Sequence, residues 1–112
     1  MNNYDDVLLA IVHRKPIDFR IHDTRYIGEP YVIGATNEAK DAFLIRLLLC
    51  DKATHKPGEW LVFECEKAGS LRRLADRFAP LAKESIPDSV KSLITSSFAR
   101  IDHTVYTAFL SL

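Results

Sequence analysis

The chain carries no net charge. Fifteen Lys and Arg offset fifteen Asp and Glu across 112 residues, and the isoelectric point is near 6.9. No overall basic field therefore draws it to nucleic acid or to an anionic membrane. Cysteine is scarce: Cys50 and Cys65 lack any framework spacing, which fits a reducing cytosol better than a disulfide-stapled secreted domain. The 4 glycines, Gly28, Gly34, Gly58 and Gly69, stand apart from one another, so no glycine-rich phosphate loop is present. The longest apolar runs, around Phe43–Cys50 and Trp60–Phe63, fall far short of the roughly 20 residues that a membrane span needs. Asp5 and Asp6, with no positive segment ahead of them, argue against a signal peptide.

With 47% apolar and 27% charged residues, the composition is that of one folded domain, residues 1–112, with a single core. A small soluble cytoplasmic protein is expected. Asn3 and the acidic pair Asp5 and Asp6 mark a helix start, and Tyr4, Val7, Leu8 and Ile11 line one helical face. Pro16 ends that helix near Arg14. Apolar and polar residues then alternate strictly from Ile17 to His22, which predicts a half-buried strand. A turn at Asp23-Thr24 leads to a returning strand, Arg25 to Ile33, with Gly28 and Pro30 at a bulge or an edge. Phe43 to Cys50 reads as a strand covered on both faces, and Trp60 to Ala68 as a fourth. Leu71, Leu74, Ala75 and Phe78 have helical spacing up to Pro80, and Ser85-Ile86-Pro87-Asp88 resembles a capping box. From Val90 through Phe98 to Leu112 a 3.6-residue rhythm predicts one long amphipathic helix, continuous or broken near Asp102. Helix, four meandering strands and helix imply an α+β fold, a small antiparallel barrel of about residues 16–80 with a helical extension over about 86–112.

Little here supports catalysis. Both cysteines lie inside apolar strands, where a thiol is a small hydrophobe with a raised pKa. His13, His22, His55 and His103 fall in four different elements without metal-ligand spacing, and no nucleophile stands beside a base. A non-enzymatic protein without metal or cofactor is expected. The first strand is more informative. Asp18, Arg20 and His22 share a face, and Arg25 approaches it across the turn. Arg46 is the one charge inside an apolar strand and requires an anionic partner. Either it pairs internally, with Asp18, Glu29 or Glu66, or these cations form a pocket for a carboxylate, phosphate or nucleotide. Arg72, Arg73 and Arg77 form a second basic group.

Pro16-Ile17-Asp18-Phe19-Arg20-Ile21-His22, followed by Arg25 and Glu29-Pro30-Tyr31, resembles the opening of the WYL domain family. Leu44-Ile45-Arg46 is similar to the "LLRAY" strand of its short members. Glu59-Trp60-Leu61-Val62-Phe63 through Lys67-Ala68 is similar to "GWxLFRxDRI", and Leu71 to Phe78 to the tail with its "E/D-R-F" step. The likeness covers roughly residues 8–80. It implies a small Sm-like β-barrel that senses a ligand, a nucleotide or single-stranded nucleic acid, in bacterial transcription regulation. The matching positions are Arg20, His22, Arg25, Arg46 and Lys67. Glu64 stands where the family has its first "FRxDRI" arginine, Lys67 replaces the second, and Leu48 replaces the "LLRAY" aromatic. Only about fourteen residues precede the strands, too few for the helix-turn-helix that usually accompanies such domains, so a stand-alone domain is expected. The alternative is an interaction module without a small-molecule ligand. The long apolar C-terminal face predicts a homodimer with residues 88–110 in the contact.

Overall fold

Pro16 divides two periodicities, and the computed structural model, which describes residues 3–94 and 96–100, changes element there. Ahead of it, α1 (Asn3–His13) buries Val7, Ala10 and Ile11 along one face. Arg14 ends the helix by entering the left-handed region at φ 54°. Its N–H donates to the Ile11 carbonyl and the Lys15 N–H to the Ala10 carbonyl, a Schellman-type close with arginine in the usual glycine position. Asn3 acts at long range: its side-chain amide donates to the carbonyls of Cys65 and Ala68.

Among the described residues six strands follow: β1 (Ile17–Ile21), β2 (Thr24–Ala35), β3 (Asp41–Cys50), β4 (Trp60–Glu64), β5 (Gly69–Arg73) and β6 (Ser96–Arg100). All pairings are antiparallel, in the order β4-β3-β2-β1-β5, with β6 on β2. The class is α+β with a helix ahead of an antiparallel sheet. The first hairpin turns at His22-Asp23, one residue earlier than the sequence pattern predicts, because Ile21 pairs with Thr24. His22 takes φ 56° to make that two-residue turn, a conformation such hairpins demand. At twelve residues, β2 is long enough for two partners on one side, β1 up to Gly28 and β6 from Val32. Pro30 sits between the two pairings. The β2–β3 register shifts at Ile27/Gly28 and again at Pro30/Val32, as glycine and proline at those positions lead one to expect.

The core lies inside the curl of the sheet. Phe19 of β1 stacks on Tyr26 of β2 at 5.6 Å and meets the Phe43 ring of β3 at 5.3 Å. It also meets Phe63 of β4 edge-to-face at 5.3 Å, although two strands lie between β1 and β4. The ladder itself is open, since β4 and β5 do not pair among the described residues. A second aromatic group, Tyr31 with Trp60 at 4.9 Å and with Phe78 at 5.6 Å, anchors the segment after β5. The Leu81 N–H donates to the Tyr31 hydroxyl, the Leu74 N–H to the Pro16 carbonyl and the Phe78 N–H to the Arg14 carbonyl.

Four expectations are corrected. The fourth strand stops at Glu64, and Cys65–Lys67 forms a 3-10 turn. The end of β3 is not covered, for Leu48 and Leu49 are 36% and 44% exposed. Gly69–Arg73 is a strand rather than the start of a helix; only Leu71 is partly buried in it, so no alternation betrays it. The long C-terminal helix is reduced to one turn, α2 (Asp88–Lys91), and Ser96–Arg100 is a strand. Ser96 and Ser97 are weak helix formers, whereas the free half of the β2 edge offers them ladder partners in Ala35 and Gly34. The rest of that predicted helix, residues 101–112, lies outside the described residues, and with it part of the expected dimer contact.

Gly28 faces β3 with no room for a side chain. A Cβ there would stand 2.6 Å from Ile45 Cδ1 and 3.1 Å from the Arg46 carbonyl oxygen. Ile45 is fully buried and cannot swing away. Gly28→Ala is therefore expected to cost about 1–3 kcal/mol, read as a lower urea midpoint with an unchanged slope; an unaltered midpoint would show that the two strands can separate at no cost.

Candidate functional site

Alternation along β1 sends Ile17 and Phe19 into the aromatic core and Asp18 and Arg20 to the opposite face. Because β1 lies between β2 and β5, Asp18 is flanked by Ile27 on one side and Arg72 on the other. Arg25, two residues before Ile27, reaches Asp18 diagonally. Its Nε donates to Oδ1 at 3.0 Å and its Nη2 to Oδ2 at 2.7 Å, a parallel fork. Arg72 donates to Oδ2 through Nε at 3.3 Å and Nη2 at 3.1 Å. One carboxylate thus accepts four N–H bonds while only 5% exposed. The Arg25 hydrogen bonds are the largest influence on its acidity, and with those of Arg72 they outweigh burial and hold Asp18 below the ordinary carboxylate range. The same contact raises the Arg25 guanidinium.

The guanidiniums themselves stay at the surface. The Arg25 side chain is 39% exposed and that of Arg72 is 67% exposed. Arg20, opposite Arg25 in the hairpin, is exposed and has no ion-pair partner among the described residues. Two arginines therefore hold one carboxylate, and with Arg20 exposed on the same strand they leave a local excess of positive charge. Asp51 moderates it, accepting the Arg25 backbone N–H at 3.0 Å. His22 is exposed at the tip of the same hairpin.

The other expected site residues are engaged elsewhere. Arg46 pairs with Glu29 at 3.8 Å, which selects one of the three internal partners that the sequence allows. That pair sits four residues along β2 from Arg25, about 13 Å at the rise of a strand. Burial pushes the Glu29 carboxyl up, and Arg46 opposes this. Lys67, in the 3-10 turn between β4 and β5, is held by Glu64 at 2.9 Å. Arg20, His22 and Arg25 are thus brought together on one hairpin, and Arg46 and Lys67 are not part of it. Arg72, read from the sequence only as a member of a separate basic group, completes the cluster, and finding it requires knowing that β5 pairs with β1.

Burial pushes the Cys65 thiol up to about 12, so it is not a thiolate at neutral pH. Cys65 follows Glu64, the partner of Ala42, whereas Cys50 ends the other side of β3, so the thiols lie at opposite ends of that strand. Among the described residues no three His, Cys, Asp or Glu side chains are grouped to hold a metal ion. His55 instead meets Glu59 at 2.8 Å. No helix among them is long and apolar enough to cross a membrane.

Asp18 gives the fold an acid sensitivity of defined sign. Its folded pKa lies below the unfolded value, so the stabilisation is complete above the ordinary carboxylate range and is lost as pH falls below that range and through the lowered folded value. Glu29, shifted the other way, contributes the opposite slope. In Asp18→Asn, stability at neutral pH is expected to fall by roughly 1–3 kcal/mol, and the further loss on acidification to about pH 2 to shrink. Urea melts at both pH values measure this, and equal acid losses in the two proteins would remove Asp18 from the account.

The chain matches no protein-family model, and comparison with curated proteins and with solved structures likewise finds no match.

Proposed function

We propose that this protein is a non-enzymatic regulatory module that senses an anionic ligand, a nucleotide or single-stranded nucleic acid, on the arginine face of β5, β1 and β2. One observation carries the reading: a buried carboxylate, Asp18, holds two surface guanidiniums in place while a third, Arg20, stands beside them. An arginine side chain that is ordered only on binding loses up to about 2 kcal/mol of rotamer entropy. Arg25 and Arg72 are already ordered by Asp18, and each charge-assisted bond to a phosphate then contributes about 1.5–3 kcal/mol. The resemblance to WYL domains supports the same function. The curl that brings Phe19 against Phe63, with a helix ahead of β1, supports the small Sm-like barrel that this resemblance implies. Such a module would act in a bacterial-type cytosol, regulating transcription with a partner protein. Arg46 and Lys67 have carboxylate partners of their own and are not required by this reading.

Arg72→Ala keeps the Arg25 fork on Asp18 and so leaves the fold intact. Fluorescence anisotropy with labelled oligo-dT, and calorimetry with ATP, are expected to show at least one ligand binding, weakened about tenfold or more by Arg72→Ala. Lys56→Ala, on the loop before β4, should leave it unchanged. Small, equal effects of the two substitutions would sink the assignment.

A second reading, a homodimerisation module, draws on Leu93, which is 53% exposed within the expected contact of residues 88–110. Sedimentation equilibrium is expected to show a dimer that Leu93→Glu dissociates, and a wild-type monomer at high micromolar concentration would dismiss it.

A further inference from the structure

A groove of about 440 Å³ runs beside β5 on the side of α1, a volume suited to a small ligand. It is lined by Lys15, Arg72 and Arg73, by the single carboxylate of Asp6, and by Leu71 and Leu74. Arg72 spends Nε and Nη2 on Asp18, which leaves Nη1 available. Lys15 and Arg73 have no ion pair among the described residues. The backbone adds a donor. The Leu74 N–H points inward to the Pro16 carbonyl, so by alternation the Arg73 N–H points away from β1, at the open edge of the sheet.

We infer that this groove seats a small phosphorylated molecule with a flat or apolar body, the chemistry of a nucleoside phosphate. Lys15, Arg72 and Arg73 take the phosphate, and Leu71 and Leu74 take the body. The inference rests on the anion-binding reading above and narrows it, because two features disfavour a nucleic acid strand. Proteins that bind single strands derive much of their affinity from bases stacked on exposed aromatic rings. Among the described residues the exposed large apolar side chains are Val12, Leu48, Leu49, Leu81 and Leu93, and none is aromatic. The cations also line one groove, rather than being strung along a path that a backbone would follow.

Calorimetry on the full chain with ADP as the probe, and anisotropy with labelled oligo-dT, separate the possibilities. ADP is expected to bind more tightly than oligo-dT, with Arg73→Ala and Lys15→Ala each weakening it about tenfold and Lys56→Ala leaving it unchanged. Both groove residues are surface cations whose truncation leaves the core untouched, and an unaltered melting midpoint verifies that the variants are folded. If Arg20→Ala and Arg25→Ala weaken ADP while Arg73→Ala and Lys15→Ala do not, the ligand lies on the open arginine face, and the groove is overturned while the anion-binding reading stands. Tighter binding of oligo-dT has the same consequence. Binding of neither probe overturns both.

Discussion

The contact on which the fold turns is that of Phe19 with Phe63. Rings on strands that are not neighbours meet only if the sheet bends, and the bend encloses Tyr26 and Phe43 with them. Each such ring buries a large apolar area, and each edge-to-face pair adds about 0.5–1.5 kcal/mol beyond that. The curl requires β2 and β3 to approach closely at the inside of the bend, and Gly28, against Ile45, allows it. It also turns the opposite face of β1 outward, so the strand that supplies the central ring supplies Asp18 and Arg20 to the surface. Core and candidate site are therefore two sides of five residues.

Charge on this surface is organised by two carboxylates with opposite tendencies. Asp18 is satisfied by four N–H donors and stays ionised, and that fixes the geometry of its arginines. Glu29 is nearly as well covered but faces a single guanidinium at 3.8 Å, so burial dominates its titration. The difference lies in the number and closeness of donors set against the burial of each carboxyl. An ion pair with several good hydrogen bonds organises a surface, and one with a long contact only reduces the cost of its own burial.

The parts of this arrangement that could be read from sequence are those encoded locally. The alternation of Ile17, Asp18, Phe19 and Arg20 is a period of two, and it placed Asp18, Arg20 and His22 on one face with Arg25 across the turn; His22 instead makes the turn itself. Pro16 ended α1, and Gly28 and Pro30 marked the register shifts, because each has a backbone effect independent of its neighbours. What was hidden depends on pairing between distant segments. β5 has almost no buried side chain and exists because the β1 edge was vacant, so Arg72 could not be assigned to Asp18 beforehand. Ser96–Arg100 has helical apolar spacing around it but takes the vacant half of β2, a case of tertiary hydrogen bonding overriding a local pattern.

The Asn3 side chain bonds to the carbonyls of Cys65 and Ala68, across 62 and 65 positions of sequence. The three hairpins from β1 to β4 are local and close quickly, whereas β5 must return to β1 across the whole meander and the helix must then find the turn between β4 and β5. Loop-closure entropy makes those the late events. The amide of Asn3 thus works as a latch between the first turn of α1 and the connection from β4 to β5. Opening at this end releases α1 and the β4–β5 connection together, which makes them one cooperative unit in local unfolding.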